Sequence, residues 1–194
     1  MRFFNPVAPL LYVDNGRAFV KVANDGPSDF EGQCSVSLIG FDGTCIRSTV
    51  VDVHVGSMEV GEVVDFSLSD LDLSSCYLCA SVSDVEETLL LCRPKDAFIM
   101  DPGLKFSVCE CASECEAGSS DIRRRFSVEI STDRPAFYVV PDAGNINEVF
   151  SDCLFSLNGR RTVVFNSKED VTVEEFASGL KVYDLYGSCR YPEV

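Results

Sequence analysis

Tryptophan is absent from this 194-residue sequence, histidine occurs once, and basic residues are scarce: 16 Lys and Arg stand against 31 Asp and Glu, for a formal net charge of −15. Each shortage excludes something. A chain this acidic lacks the basic patches that nucleic acids and anionic membranes require, so neither is an expected partner. No segment approaches the run of roughly 18 apolar residues that a membrane-spanning helix needs. The N-terminus, Met1-Arg2-Phe3-Phe4-Asn5-Pro6, holds no apolar stretch long enough for a signal h-region, and no Asn-x-Ser/Thr acceptor occurs. Glycine-rich phosphate loops and Walker patterns are missing too. The length suits one or two domains and is too short for a (β/α)₈ barrel, which takes about 250 residues. With 46% hydrophobic and 24% charged residues the composition is that of a globular chain rather than a disordered one.

What is present is a succession of short β-type runs bounded by Gly, Asn, Asp and Pro. Pro9 to Tyr12, Arg17 to Val22, Cys34 to Gly40, Val51 to Val55, Val63 to Leu68, Tyr77 to Val82 and Thr88 to Cys92 make about seven strands at sandwich spacing. Asn15-Gly16 and Asp42-Gly43 between them are hairpin signals. Arg93-Pro94 and Asp101-Pro102-Gly103 then punctuate the chain twice, which places a domain boundary there: 1–100 and 101–194. The second series runs Leu104 to Cys109, Arg125 to Thr132, Phe137 to Val140, Cys153 to Leu157, Arg161 to Phe165 and Leu180 to Leu185. One short helix is expected at Thr172 to Gly179, with a Thr cap, a Glu three residues later and a Gly stop. The fold class is all-β: two tandem Ig-like antiparallel β-sandwiches with one short helix in the second.

The candidates for chemistry are few. With so many acids some carboxylate pairs lie close by chance; Asp84, Glu86, Glu87, Asp70 and Asp72 read as solvated turns, and Glu174 and Glu175 as acids complementing a helix N-terminus. Ten cysteines include Cys76-x-x-Cys79 and Cys109-x-Cys111-x-x-x-Cys115. Four thiolates would suit zinc, but Cys76 and Cys79 fall on a strand, where residues three apart point to opposite faces. Buried thiols, or disulfides in an exported chain, are the expectation, with no metal and no cofactor. His54 alternates with Val53 and Val55 onto a solvent face and has no nucleophile partner in the sequence. Sugar stacking would fall to Tyr77, Tyr138, Tyr183, Tyr186 and Tyr191, which otherwise pack at sheet edges with the hydroxyl outward. No catalytic residue is assigned, and no sugar-binding residue either.

One segment is more specific. Gly144-Asn145-Ile146, then Phe150-Ser151-Asp152-Cys153-Leu154-Phe155-Ser156-Leu157, then Arg160-Arg161-Thr162-Val163-Val164-Phe165 resembles the C-terminal Ig-like domain of β-mannosidases, family-2 glycoside hydrolases. The family stretch typically reads G-x-F-S-D-N-x-F-x-L, a Pro-Gly-type turn, a basic residue and a T-V-x-F strand. Val173-Glu174-Glu175-Phe176 and Leu180 to Tyr186 resemble its acidic helix and closing strand. Upstream, Phe3-Phe4, Pro9-Leu10, Val22-Ala23-Asn24-Asp25, Phe41-Asp42-Gly43 and the Pro94-Lys95-Asp96 linker resemble the preceding mannosidase Ig-like domain. This sequence departs from the pattern in having Cys153 for the family Asn and Asn158-Gly159 for Pro-Gly, which still suits a two-residue hairpin turn. The stretch from Cys109 to Asp121 has no counterpart, and Glu148, after Asn147, falls in a loop rather than in the family's catalytic Asn-Glu motif.

The resemblance implies a non-catalytic region whose catalytic (β/α)₈ barrel lies elsewhere, and a parent activity of hydrolysing terminal β-mannosyl residues. The barrel is the implied partner, mannosides a further one, and a lysosomal or secreted setting goes with the family. Asn145, Phe150, Ser151, Asp152 and Phe155 are then structural, Phe150 and Phe155 as core anchors and Asp152 as a brace for loop N–H groups. A stand-alone sugar-binding module and a protein-binding Ig-like pair are the alternatives.

Overall fold

The computed structural model describes residues 5–111, 122–146 and 150–189. The chain divides into two compact units, Met1–Ile99 and Met100–Val194. The first holds β1 (Val7–Asp14), β2 (Arg17–Asn24), β3 (Phe30–Gly40), β4 (Cys45–Val55), β5 (Glu59–Ser67), β6 (Cys76–Val82) and β7 (Val85–Leu90). They form a three-stranded sheet, β1-β2-β5, and a four-stranded sheet, β4-β3-β6-β7, antiparallel throughout. This is the three-on-four arrangement of an Ig-like sandwich. Asn15 and Gly16, both at positive φ (47° and 72°), form the tight turn that pairs β1 with β2. Period-two alternation turns Ala18, Val20 and Val22 inward against Cys34, Val36 and Leu38 of β3 and Leu78, Ala80 and Val82 of β6.

The same alternation brings Asn24 inward at 1% exposure. Its amide nitrogen donates to the carbonyls of Ser28 (2.8 Å), Val55 (3.2 Å) and Gly56 (3.1 Å), and its Oδ1 accepts from the N–H of Gly26 at 3.0 Å. One side chain thus ties the end of β2 to the end of β4 and satisfies backbone groups that burial would otherwise strand.

The second unit holds β8 (Lys105–Glu110), β9 (Arg124–Ser131), β10 (Ala136–Asp142), β11 (Phe155–Leu157), β12 (Arg160–Ser167), α1 (Val173–Gly179), β13 (Lys181–Tyr183) and α2 (Leu185–Cys189). Its sheets are β12-β9-β8 and β11-β10-β13. Most of the described chain is strand or turn, as the all-β reading requires, but the described residues of the second unit hold two short α-helices rather than one. The closing strand stops at Tyr183, because Asp184 accepts the N–H of Gly187 at 2.8 Å and turns the chain into α2. Asn158-Gly159 is not a hairpin turn. β11 pairs with β10 while β12 pairs with β9, so these two residues carry the chain from one sheet to the other. Gly159 makes that corner at φ +105° while Asn158 keeps a negative φ, unlike the two positive-φ residues of a type I′ hairpin turn; the Gly159 N–H donates to Thr132 Oγ1 (3.2 Å) and its carbonyl accepts from the Thr132 N–H (2.7 Å). No described helix is long and apolar enough to cross a membrane.

Candidate functional site

The segment 150–165 is built around stacked rings. Phe150 makes an isolated β-bridge with Phe165, their ring centroids 4.7 Å apart. Phe165 stacks on Phe176 at 4.9 Å, and Phe176 on Phe126 at 4.4 Å. Phe126, Phe165 and Phe176 are wholly buried, whereas Phe150 is half-buried at the margin of the cluster. Phe176 reaches the cluster because α1 is fixed at its start: the Glu175 N–H donates to Thr172 Oγ1 (3.2 Å) and the Thr172 N–H to the Glu175 carboxylate (2.9 Å). Glu175 is therefore a cap, and Glu174 stands in the same first turn.

Ser151 docks this segment on β12. Its N–H donates to the Val164 carbonyl at 2.7 Å, and its Oγ accepts the Val164 N–H at 2.9 Å. The brace to backbone expected of Asp152 is thus supplied by Ser151. The partner of Asp152 among the described residues is Arg161, Oδ2 to Nη1 at 3.3 Å, with the two side chains 14% and 28% exposed. The Arg161 guanidinium lies over the ring of Phe155, 4.6 Å from its centroid, and Phe155 is buried on β11. A carboxylate, a guanidinium and a ring thus join β12 to β11, the strands on either side of the sheet-to-sheet corner. Asn145 is not gathered into this group: it is exposed in the turn after Gly144. Glu148 lies outside the described residues, as do Tyr191 and Cys115.

The other candidates scatter. Cys76 faces the first core at 1% exposure with its thiol 3.4 Å from the Asp72 carbonyl, while Cys79 is on the opposite face of β6. Burial first, and then the Glu86 carboxylate, push the Cys79 thiol up to about 12, so it stays protonated at neutral pH and is no thiolate ligand. Burial raises Cys34, Cys76 and Cys92 too. Cys109 is exposed and Cys111 half-buried; among the described residues no group of three or more His, Cys, Asp or Glu is placed to hold a metal. Asp72 forms an Asx turn with Ser74, whose hydroxyl and N–H hold its carboxyl below the usual range. Glu86 and Glu87 are not turn residues; β7 begins at Val85 and pairs them with Ser81 and Ala80.

His54 is exposed on β4 with Nδ1 3.2 Å from Glu31 Oε1. The recess beside them, of about 470 Å³, is lined by Glu31, Gly32, Gln33, Asp52, Val53 and His54, with no hydroxyl or thiol among them for His54 to activate. Tyr77 is 2% exposed rather than at a surface edge, with the Phe41 ring 6.0 Å away. Tyr138 and Tyr183 are exposed at 42% and 45%, and Tyr186 is half-buried. Three residues with structural parts carried no role in the sequence reading: Asn24, Arg161 and Asp184. A signal was available for Asn24, a polar residue in phase with the inward Ala18, Val20 and Val22.

The geometry defines a class, a pair of Ig-like β-sandwiches whose distinctive residues brace backbone and pack rings. The family follows from comparison: residues 16–96 belong to the mannosidase Ig/CBM-like domain family and residues 114–188 to the Ig-fold domain family of mannosidases, together about four-fifths of the chain. The chain is thus made of the C-terminal Ig-like domains of the β-mannosidase type, found in family-2 glycoside hydrolases. Among solved structures, the β-D-mannosidase of Dictyoglomus thermophilum matches 94% of this chain at a TM-score of 0.74 and 17% identity. An exo-chitosanase of Amycolatopsis orientalis, in complex with a β-D-glucosamine derivative, matches 93% at 0.66 and 14%. The chain spans 22% and 25% of the lengths of those two proteins. No curated protein matches it in sequence.

Proposed function

We propose that the chain is the non-catalytic C-terminal part of a β-mannosidase-like hydrolase, whose whole activity removes terminal β-mannosyl residues from glycoconjugates. Its two sandwiches pack against the catalytic barrel and stabilise it. The observation that carries this reading is the order and extent of the two domain matches, mannosidase Ig/CBM-like then Ig-fold, in a chain that spans under a quarter of a β-mannosidase. In it, Phe150, Ser151, Asp152 and Phe155 hold the second sandwich together rather than touch substrate, and Asn145 shapes the turn before them. The test is the transcript upstream of Met1. A continuous frame encoding a barrel with paired catalytic glutamates is expected; an in-frame stop just before Met1 in the mature transcript would overturn the same-chain form of the proposal.

A second reading is favoured by one feature. The register of β10 shifts between Ala136 and Val139, and Tyr138 within the shift has φ +54°, an uncommon conformation for a tyrosine. That irregularity points Tyr138 outward, on the same sheet whose Val140 pairs with the exposed Tyr183. Two outward tyrosines suit stacking on the C–H face of a sugar. Titrating the chain with β-mannosides and β-glucosaminides and following its amide NMR spectrum tests this: shifts centred on β10 and β13 are its signature, and an unchanged spectrum removes it.

A further inference from the structure

Asp184 ends β13 and opens α2. At 8% exposure it is the one buried carboxylate among the described residues. Its Oδ1 accepts the Gly187 N–H at 2.8 Å, and its backbone carbonyl accepts both the N–H (3.0 Å) and the hydroxyl (2.7 Å) of Ser188. Its Oδ2 is also buried, and among the described residues it has no hydrogen-bond partner. An ionised carboxylate offers about four lone-pair sites and needs donors on both oxygens when water is excluded; this one has a donor on one oxygen only.

The described residues around it do not supply the missing positive charge. The titratable groups on the neighbouring elements are Tyr138 and Asp142 on β10, Lys181 and Tyr183 on β13, Tyr186 and Cys189 on α2, and Asp101 ahead of β8. The first four and Cys189 are exposed, and Tyr186 is half-buried. The neighbour that acts electrostatically on Asp184 is Asp101, which carries the same sign. Protonation removes the buried charge while Oδ1 still accepts from Gly187.

We propose that Asp184 is a proton-operated latch on α2. The protonated carboxyl holds the last helical turn of the second unit, and ionisation loosens it. The sign follows from linkage. Burial raises the carboxyl above its ordinary 3.8 and is the largest cause; the Gly187 N–H pulls the other way, Asp101 adds to the rise, and the residue's own backbone N–H lowers it again. The stability it contributes is complete below 3.8 and is lost as pH rises through the raised folded value. The latch is thus closed in acid and opens as pH rises through that folded value. This inference is independent of any hydrolase reading, since it concerns only the second unit's own groups.

The test uses the full chain: the carboxyl carbon of Asp184 is titrated by NMR, and hydrogen exchange of the α2 amides is followed from acid to neutral pH after correction for intrinsic rates. The expected result is a midpoint above the ordinary aspartate range and a loss of α2 protection of about tenfold or more across it. Asp184→Asn, an equally good cap without the charge, keeps α2 protected at pH values above the midpoint measured for the unsubstituted chain. Asp184→Ser, which retains one accepting oxygen and removes the buried second one, does the same. Asp101→Asn leaves Asp184 in place and lowers its midpoint. A midpoint at or below the ordinary value, or α2 protection that ignores the ionisation of Asp184, overturns the proposal; these two readings come from the unsubstituted chain and stand even if a variant fails to fold.

Discussion

The two sandwiches share an architecture and differ in what holds them. The first has long strands, up to 11 residues in β3 and β4, and a core of valine, alanine, leucine and cysteine with Asn24 as its polar tie. The second has strands as short as three residues, β11 and β13, and a core centred on phenylalanine rings brought together by β9, β12 and α1. Long ladders let small side chains suffice, because many residues in register each bury a little. Short strands supply fewer backbone pairings, and there a few large rings provide the burial instead. The ion pair of Asp152 with Arg161 then ties the segment before β11 to β12, and the cap of α1 fixes the helix that carries Phe176.

Substitutions can break this contrast in turn. The largest loss is expected for Phe176→Ala, which removes the ring touching Phe126, Phe150 and Phe165: about 3–5 kcal/mol by denaturant unfolding, with hydrogen exchange placing the loss in β9 and β12. An effect below about 1 kcal/mol would mean that the ring cluster is not what holds the second unit. Asn24→Ala follows, at about 2–4 kcal/mol, since three carbonyls and one N–H lose their partner; exchange should rise at Gly26 and around the β4–β5 turn. Asp152→Ala should cost about 1–2 kcal/mol. A double-mutant cycle with Arg161→Met assigns that cost to the pair, whereas no change in melting temperature would remove Asp152 from the second unit's support. Thr172→Ala should cost about 1 kcal/mol and Thr172→Ser much less, because serine keeps the accepting oxygen.

The strands were legible because each faces a core on one side and water on the other, so that polarity alternates along the chain. The capping box of α1 was legible because Thr172 and Glu175 carry it within four residues. Features set by distant partners were not. Asn158-Gly159 has the composition of a hairpin turn, but the strands it joins pair with β10 and β9, whose claims on them lie elsewhere in the sequence. Tyr77 stands on a strand face that alternation alone would leave partly exposed, and Phe41 stacks beside it. Of the motif residues, Phe150, Ser151, Asp152 and Phe155 cluster on or beside β11 and β12, but their division of labour is hidden in the sequence: residue type alone suggests Asp152 as an Asx brace, and only the placement of β12 shows that Ser151 meets Val164 while Asp152 meets Arg161. Asp184 was hidden in a run that reads as strand to Leu185.

We propose that these residues build two sandwiches whose hydrolytic centre lies elsewhere. The most direct measurement is turnover of chromogenic β-mannoside and β-glucosaminide by the purified chain at acid and neutral pH. The account predicts none above the buffer rate. Turnover that disappears when a carboxylate of this chain is replaced by its amide would contradict it.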